Sequence, residues 1–568
     1  MWIRKLLGIL AAGFILAGCD QEDPVVRLAV TTDVHGMIFP VDLIRRDSSD
    51  HSLAHVYNYV TRQRSMQDTL FFLMDNGDFL QGQPSVYYYN FIDTADLHLS
   101  ARVMNFMGYS AGTVGNHDIE AGPRVYNKIR GEMNFPWLAA NAVHTSTGEP
   151  YFEPYTVLEA GNRKIAVLGL ITPGIPYWLP KNLWPEMEFR DMVETAEDWI
   201  PRIREEEDPD LVVGLFHSGT DASYGGSNET HMNENAVLLV AENVPGFDVI
   251  FAGHDHQVAI QWVVNNENDS VLIVDPGSHA RYAGEVTVEF SPGGAPKLEG
   301  KNVPMKNYAP SEEFMSNFSV DYEKITTYLD DTITWLQEEM VGADALFGPS
   351  PMISLIHQVQ LGLSNADLSF TAPLSLSARL RKGPLLVSDM FQLYRFENML
   401  YTMELSGREI DGFLEYAAGL WFDRMAGPDD PMLLYREGEP GWLANRYYNF
   451  SSAAGIEYEV DLTRPAGTRV TIHGFTDGTP FSESEDYLVA INSYRGNGGG
   501  GHLTRGAGIP PENLESRIQW STDIDLRYYL MESLSREDTV KARKMDNWSI
   551  LPETWVSTAS SRERNHFR

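Results

Sequence analysis

The stretch from Val25 to Gly36, VVRLAVTTDVHG, joins an apolar, β-branched run to a polar turn that carries Asp33 and His35. Near-continuous apolar runs of this length are typical of strands buried on both faces of an α/β sheet. The same transition recurs in the first half of the chain, where LFFLMD leads into NGD (76–78), AGTVG into NHD (116–118), LVVGLF into HSG (217–219) and DVIFAG into HDH (254–256). Helix-like stretches at 96–107 and 191–206 lie between these runs. The first half is therefore predicted to be an α/β domain.

The polar strand ends offer a mixed set of nitrogen and oxygen donors. Its members are Asp33, His35, Asp78, Asn116, His117, His217, His254 and His256. Side chains at the carboxyl ends of neighbouring α/β strands converge in one crevice, so these groups are expected to lie close together. Any one of the histidines alone is more simply explained as a core residue. Five strand ends with the same pattern favour a site for two ions that share a carboxylate.

Such a pair of ions has a specific chemistry. Two ions ~3.5 to 4 Å apart can clamp a phosphoryl group and lower the pKa of a shared water. Imidazole together with carboxylate favours Mn, Zn, Fe or Co over Ca or Mg, and the lack of thiolates argues against a structural Zn site. We therefore expect two divalent metal ions, with Mn, Zn, Co and Fe left open.

Charge and cysteine content exclude other classes. The chain has 568 residues, which is enough for two to four domains, and 43 Lys+Arg against 79 Asp+Glu give a net charge of −36. A field of that sign repels nucleic-acid phosphate, so binding to a nucleic-acid polymer is not expected. Cys19 is the single cysteine, which excludes an intrachain disulfide.

The first 18 residues read as an export signal. Arg4 and Lys5 precede the apolar run LLGILAAGFILA, whose 12 residues are too few to cross a bilayer, which takes ~20. The tetrapeptide LAGC at 16–19 resembles the bacterial lipobox, in which the cysteine is acylated after cleavage. Cys19 is thus expected to anchor an exported lipoprotein to a bilayer, at the periplasmic or cell-surface side, with 19–27 as a tether. A short apolar helix followed by an unrelated cysteine is the alternative.

A spacing change marks the middle of the chain. Apolar residues recur at intervals of three, four or seven between 311 and 340: Phe314, Phe318, Tyr322, Ile325, Leu329, Leu336 and Met340. This spacing predicts one long amphipathic helix. It divides the chain into a catalytic domain (28–305), a linker helix (306–345), a second α/β domain (346–540) and a tail (541–568).

The strings TTDVHG, NGD, GNHD, FHSGTD and AGHDH, in that order, resemble the motifs of a known family. This is the bacterial 5′-nucleotidase and 2′,3′-cyclic-nucleotide 2′-phosphodiesterase family of dinuclear metallophosphoesterases. The resemblance covers nearly the whole chain after the export signal. It implies a metallophosphoesterase β-sandwich flanked by helices, a linker helix and an α/β nucleotide-binding C-terminal domain.

The resemblance also implies roles by matching position. One ion would be held by Asp33, His35 and His256, the other by Asn116, His217 and His254, with Asp78 bridging them. His117 would contact the phosphate, oriented by an acidic residue three positions on, which is Glu120 here. Family members carry Asp or Asn at that position, so Asp118 remains a competing partner.

Two segments of the second half resemble the base-binding elements of the family, namely YYNF at 447–450 and INSYRGNGGGGH at 491–502. Tyr448 and Tyr494 would stack on a base, with Asn449 nearby, although an aromatic cluster alone is more often core. Arg379 and Arg395 are candidates for phosphate or hinge contacts, with solvated surface charge as the alternative.

These features predict an exported, lipid-anchored nucleotide phosphohydrolase that acts as a monomer on nucleotides or cyclic nucleotides. A glycine occupies position 500, where 5′-nucleotidases carry a ribose-binding Asp, and this favours a 2′,3′-cyclic-nucleotide 2′-phosphodiesterase/3′-nucleotidase over a 5′-nucleotidase or UDP-sugar hydrolase. The alternative of another class is a non-catalytic surface-binding lipoprotein. The complete set of candidate ligands argues against it.

Overall fold

The computed structural model describes residues 25–67, 69–223, 229–291 and 294–567. The export segment 1–18 and Cys19 lie outside these residues, so both stay predictions. None of the helices formed by the described residues combines the length and apolarity needed to cross a bilayer.

Two six-stranded sheets form the first half of the chain and pack face to face. The first has the strand order Gly294–Pro304, Tyr282–Ser291, Val25–Thr31, Thr69–Asp75, Ala111–Thr113, Trp137–Leu138. The second has the order Val258–Val264, Ser270–Pro276, Val249–Phe251, Leu211–His217, Arg163–Ile171, Tyr155–Ala160. Four neighbouring strands of each sheet are parallel, and Leu28, Val213 and Val274 are buried between the sheets. The predicted β-sandwich is thereby confirmed.

Helices cover the outer faces of this sandwich. Those with at least seven residues are Leu53–Arg64, Leu99–Met107, Pro123–Glu132, Met192–Glu207 and Val237–Asn243. The helix-like stretches at 96–107 and 191–206 are confirmed to within three residues. Asp191 caps the second of these helices by accepting hydrogen bonds from the backbone N–H groups of Val193 and Glu194.

The single long helix predicted over 311–340 is wrong. The segment contains two helices, Glu312–Asn317 and Ser319–Asp330, followed by the strand Thr332–Leu336. The strand contains β-branched Thr332, Ile333 and Thr334 and pairs with Gly383–Leu386, with a register shift between Thr332 and Thr334. The apolar residues up to Leu329 pack in the core of the first half, whereas Leu336 and Met340 pack in that of the second. The regular spacing of apolar residues in the sequence therefore includes residues that pack in two separate cores.

The second half is built on a five-stranded sheet. Its strand order is Ser452–Ala454, Leu368–Thr371, Asp486–Asn492, Leu400–Ser406, Ile518–Ser521. Its longer helices are Pro351–Ser364, Gly407–Trp421, Leu526–Ser535 and Glu553–Glu563. This α/β arrangement is the one predicted for the C-terminal domain.

Residues 541–568 do not behave as a tail. Strand Trp548–Leu551 pairs in parallel with Ile456–Asp461, which in turn pairs with Val470–Phe475. Val556 and Ala559, on the following helix, are buried in the C-terminal core. The apolar residues of this short segment are too widely spaced to reveal these contacts in the sequence.

The remaining elements are short. The two-to-five-residue strands are Val41–Asp42, Asp47–Ser48, Ala142–His144, Met187–Phe189, Met340–Val341, Arg379–Leu380, Tyr435–Arg436, Glu439–Leu443 and Thr539–Val540. The short helices are Pro84–Tyr87, Asn116–Glu120, Ile175–Trp178, Val387–Leu393 and Ser493–Gly496.

Candidate active site

The turns that follow the parallel strands meet at one edge of the sandwich. The backbone N–H of Asp33 donates to the carbonyl of Gly77 at 2.9 Å, and that of His35 donates to the carbonyl of Asp78 at 3.0 Å. A Cβ on Gly115 would lie 2.2 Å from Oδ1 of Asp78, so only glycine allows this approach. These contacts bring strand ends that are far apart in the sequence into one crevice.

The first donor group consists of Asp33, His35 and His256. Nε2 of His35 lies 3.0 Å from Nε2 of His256, which lies 3.3 Å from Oδ1 of Asp33. Nδ1 of His35 donates to the carbonyl of Gln81 at 3.1 Å, so Nε2 presents its lone pair to the group. Nitrogen and oxygen atoms converging in this way could hold a divalent ion.

The second donor group consists of Asp78, Asn116, His217 and His254. Nε2 of His217 lies 3.1 Å from Oδ1 of Asn116 and 3.2 Å from Oδ2 of Asp78, and Nδ1 of His254 lies 2.9 Å from the same Asn116 oxygen. Nδ1 of His217 donates to the carbonyl of Asn76 at 2.7 Å. The lone pair of Nε2 therefore faces two other acceptors, Oδ1 of Asn116 and Oδ2 of Asp78. Convergence of acceptors on one point fits a bound cation.

The electrostatics of the second donor group support this reading. Burial lowers the pKa of His217, but the charge of Asp78 and the hydrogen bond to it raise that pKa to about 9. The fully buried site therefore favours a positive charge, which either a proton or a metal ion supplies. Whether Asp78 also bridges to the first donor group stays a prediction.

His117 contacts Glu120 rather than Asp118. Its Nδ1 is hydrogen-bonded to Oε2 of Glu120, three residues on in the helix Asn116–Glu120. Burial lowers the pKa of His117, but the charges of Asp78 and Glu120 and the hydrogen bond to Glu120 raise it to about 10.

Asp118 instead organises the backbone beneath the site. Its carboxylate accepts four hydrogen bonds of 2.8 to 3.0 Å, from the backbone N–H groups of Gly115, Asp78, Phe79 and Leu80. This arrangement fixes the loop that carries Asp78. Of the two acids that the sequence left open beside His117, Glu120 is the one in position to orient it.

The aromatic segments of the C-terminal half lie around Arg495. Nη2 of Arg495 donates to the carbonyl of Tyr448 at 2.8 Å, both Nη atoms lie 3.2 Å from Oδ1 of Asn449, and the guanidinium lies 5.5 Å from the centre of the Tyr494 ring. A Cβ on Gly500 would lie 2.0 Å from Nη1 of Arg495. The space beside Gly500 is thus filled by arginine.

The two halves meet beside the second donor group. The Trp178 ring stacks on that of His254 with 5.4 Å between centroids and an angle of 28°. The carbonyl of Trp178 accepts a hydrogen bond of 3.3 Å from Nδ2 of Asn497, three residues beyond Tyr494. Trp178 therefore joins the second donor group to the segment of the C-terminal half that carries Tyr494.

The two other arginine candidates lie elsewhere. Nη1 of Arg379 binds both carboxylate oxygens of Glu339 at 3.2 Å on the surface. The Arg395 side chain is exposed, and only its carbonyl has a described contact, with Arg527 at 2.7 Å. The ion pair with Glu339 agrees with the surface-charge alternative for Arg379, whereas a phosphate or hinge contact of Arg395 stays a prediction.

Sequence reasoning missed three polar residues near the site. His279 lies beside His35 and His256, with 5.2 and 5.8 Å between ring centroids. Glu397 forms a 3.0 Å ion pair with the buried Arg527, and burial raises its pKa to about 7, opposed by Arg527 and reinforced by Glu120. Glu397 and Arg527 follow no polar strand end of the kind that marked the others. His279 does give such a signal, because it comes three residues after the apolar strand Ser270–Pro276.

Comparison with known proteins agrees with this architecture. Residues 26–258 match the calcineurin-like phosphoesterase family, and residues 333–505 match the 5′-nucleotidase C-terminal domain. Together with the two donor groups, these matches define a metal-dependent phosphoester hydrolase. The chain therefore joins a calcineurin-like phosphoesterase domain to a 5′-nucleotidase C-terminal domain.

Individual relatives are distant. Over 94% of its length the chain is 27% identical to the trifunctional nucleotide phosphoesterase protein of Bacillus subtilis, but it spans only 39% of that protein. It is 24% identical to the 2′,3′-cyclic-nucleotide 2′-phosphodiesterase/3′-nucleotidase of Yersinia enterocolitica, covering 97% of this chain and 92% of the relative. A 5′-nucleotidase precursor from Thermus thermophilus shares the fold with a TM-score of 0.64 and 21% identity, over 93% of this chain and 99% of that one.

Proposed function

We propose that this protein is a nucleotide phosphohydrolase, and specifically a 2′,3′-cyclic-nucleotide 2′-phosphodiesterase/3′-nucleotidase. The observation that carries the proposal is the contact of Trp178 with both His254 and Asn497. It places the two donor groups, which could hold ions that bind a phosphoester, next to the segment that carries Tyr494, whose ring could stack on a base. A substrate that combines phosphate with a flat base fits both halves.

The residues have distinct tasks in this reaction. The first and second donor groups would hold two divalent ions, chosen from Mn, Zn, Co and Fe, which when bound lower the pKa of a shared water and clamp the phosphoryl group. Glu120 orients the His117 ring through Nδ1. Nε2 of His117 is then the nitrogen that donates a proton to the leaving oxygen of the substrate.

The preference for a cyclic substrate rests on two observations. Arg495 fills the space beside Gly500, so no carboxylate at that position can bind a ribose as proposed for 5′-nucleotidases. The relatives that match 84% or more of their own length at 24 to 25% identity are described as 2′,3′-cyclic-nucleotide 2′-phosphodiesterase/3′-nucleotidases. The relative described as a 5′-nucleotidase, from Vibrio cholerae, matches at 22%.

A substrate panel tests the proposal. With Mn²⁺ present, kcat/KM for 2′,3′-cAMP and 3′-AMP is expected to exceed that for 5′-AMP and UDP-glucose by about 10-fold or more, since the site reads the sugar position of the phosphate. The protein treated with EDTA and then resupplied with Mn²⁺ is the control. Faster turnover of 5′-AMP would favour the 5′-nucleotidase alternative, and turnover of none of the four would refute the nucleotide proposal.

We also propose that the protein is exported and anchored through Cys19. The first strand begins at Val25, six residues after Cys19, and six residues span at most ~22 Å. The strand runs from Val25 towards Asp33, so the donor groups lie at the end of the sandwich opposite to the anchored end. An acyl anchor there leaves the cleft open to soluble substrates.

Membrane fractionation tests the anchor. The wild-type protein is expected in the membrane fraction, and Cys19→Ser is expected to move it to the soluble fraction because the acyl chains are lost. Turnover per molecule should stay unchanged, since position 19 precedes the folded domains. A wild-type protein that fractionates as soluble, or a Cys19→Ser variant that stays with the membrane, would refute this proposal.

A further inference from the structure

An unusual backbone conformation marks the donor groups. Among the described residues, twelve that are not glycine have a positive φ, a region that L-residues rarely adopt. Six of these residues lie at the site: Asp33, His35, Asp78, His254, His256 and His279. Strained backbone of this kind persists where the surroundings enforce it, and it concentrates at functional sites. His279 is the one member that neither donor group contains.

The position of His279 is held from the first donor group. Its backbone N–H donates to the carbonyl of Asp33 at 2.7 Å, with φ values of +60° at His279 and +54° at the next residue, Ala280. The ring of His35 has two other imidazoles beside it, with centroids 5.2 Å from His279 and 5.4 Å from His117. His117 and His279 are thus both neighbours of the same candidate ligand.

The hydrogen bonds of His279 show which nitrogen carries a proton. Nδ1 lies 2.8 Å from Oγ of Ser278, a buried residue whose hydroxyl has no other partner in the described part of the chain. A buried hydroxyl needs an acceptor, so Oγ–H of Ser278 donates to Nδ1 and the proton of the neutral ring is on Nε2. Nε2 is a donor in the charged ring as well. It has no hydrogen-bond partner among the described residues, and it is not sealed from solvent.

We propose that His279 is a further substrate-contacting residue, whose Nε2–H donates a hydrogen bond to a phosphoryl oxygen of the substrate beside the first donor group. The proposal rests on the proposed function only in requiring a phosphoester as substrate, and it does not depend on the base. His279 does not belong to the first donor group, whose ligand atoms all lie within 4.8 Å of one another. Its proposed contact with substrate is therefore separate from metal binding. A donor at this place complements the acceptor oxygens of a phosphoryl group.

His279→Asn is the variant that tests the proposal, because asparagine tolerates positive φ but its amide does not reach as far as Nε2. On the Mn²⁺-loaded protein, calorimetric titration with inorganic phosphate is expected to show about 10-fold weaker binding. kcat/KM for p-nitrophenyl phosphate and for 2′,3′-cAMP is expected to fall by roughly 10- to 100-fold. The bound metal per chain should equal that of the wild type.

Two further variants make the result decisive. His144→Asn removes a histidine outside the site, whose ring lies 4.6 Å from that of Tyr151, and is expected to change none of these values. Ser278→Ala removes the hydroxyl that orients the His279 ring, so weaker phosphate binding is expected for this variant too. This variant keeps the test available if His279→Asn fails to fold. Wild-type phosphate affinity in the folded variants, or a loss of metal in step with activity, would overturn the proposal. Because phosphate binding is measured without a nucleotide, these outcomes are independent of the substrate panel.

Discussion

Asp78→Ala is expected to lose bound metal and turnover together. Oδ2 of Asp78 lies 3.2 Å from Nε2 of His217, and Oδ1 accepts the backbone N–H of His117 at 2.8 Å. Without this carboxylate, the second donor group keeps two imidazoles and an amide, none of which carries negative charge when it binds a metal. Metal analysis should then show fewer ions per chain than in the wild type. Removing a residue that only supports a metal ligand lowers activity by up to roughly 100-fold. Asp78 is itself a candidate ligand, so turnover should fall by more than that.

The matched control for this variant is Asp210→Ala. Asp210 is a partly buried acid that precedes the strand Leu211–His217 at the end remote from the site and pairs with Arg163 at 2.7 Å. Metal content and turnover are expected to survive this change. Full activity in Asp78→Ala would show that the two-metal proposal is wrong.

The sequence alone identified the crevice because parallel strands impose it. A polar residue that directly follows a buried strand has to lie at the carboxyl edge of the sheet. The five transitions from an apolar run to a polar turn were therefore enough to predict the members of both donor groups. His217 shows the logic most simply, since the six buried residues Leu211–Phe216 come directly before it in the same strand. The domain class followed from the same pattern.

The remaining features depend on contacts between distant segments. Asp118 and Glu120 are equally plausible partners of His117 by sequence spacing, and the choice is made by the backbone N–H groups of Phe79 and Leu80, which occupy Asp118. His279 follows an apolar strand, but its place beside the first donor group is set by a hydrogen bond to the carbonyl of Asp33, a group that every residue has. Backbone geometry of this kind leaves no trace in side-chain patterns.

The single linker helix was predicted wrongly for a related reason. Periodicity correctly identified apolar positions between 311 and 340, but it could not tell that Leu329 and Leu336 belong to different cores. Strand Thr332–Leu336 forms only because Gly383–Leu386 and Thr539–Val540 lie on either side of it. Pairing partners more than 45 residues away decided between helix and strand.

His117→Ala is expected to separate chemistry from metal binding. The His117 side chain belongs to neither donor group, and its backbone N–H, which donates to Oδ1 of Asp78, survives in alanine. Metal content should therefore match the wild type. Turnover should fall by roughly 10²- to 10⁴-fold, the range for loss of a general acid. The measurement is kcat on 2′,3′-cAMP together with metal analysis of the same preparation.

Glu120 and Asp118 provide the internal comparison for that result. Glu120→Gln is expected to lower kcat in the same direction as His117→Ala, because it removes the carboxylate that orients the ring, and to leave metal content and the melting temperature close to those of the wild type. Asp118→Asn should instead lower both metal content and the melting temperature, since four backbone N–H groups in the loops around Asp78 then share a neutral amide in place of a carboxylate. If His117→Ala lost its metal, the assignment of His117 to chemistry alone would be wrong. If Asp118→Asn lowered only kcat, the roles assigned to Asp118 and Glu120 would have to be exchanged. A drop in kcat with metal retained, confined to His117 and Glu120, is the result that the hydrogen bonds of the site require.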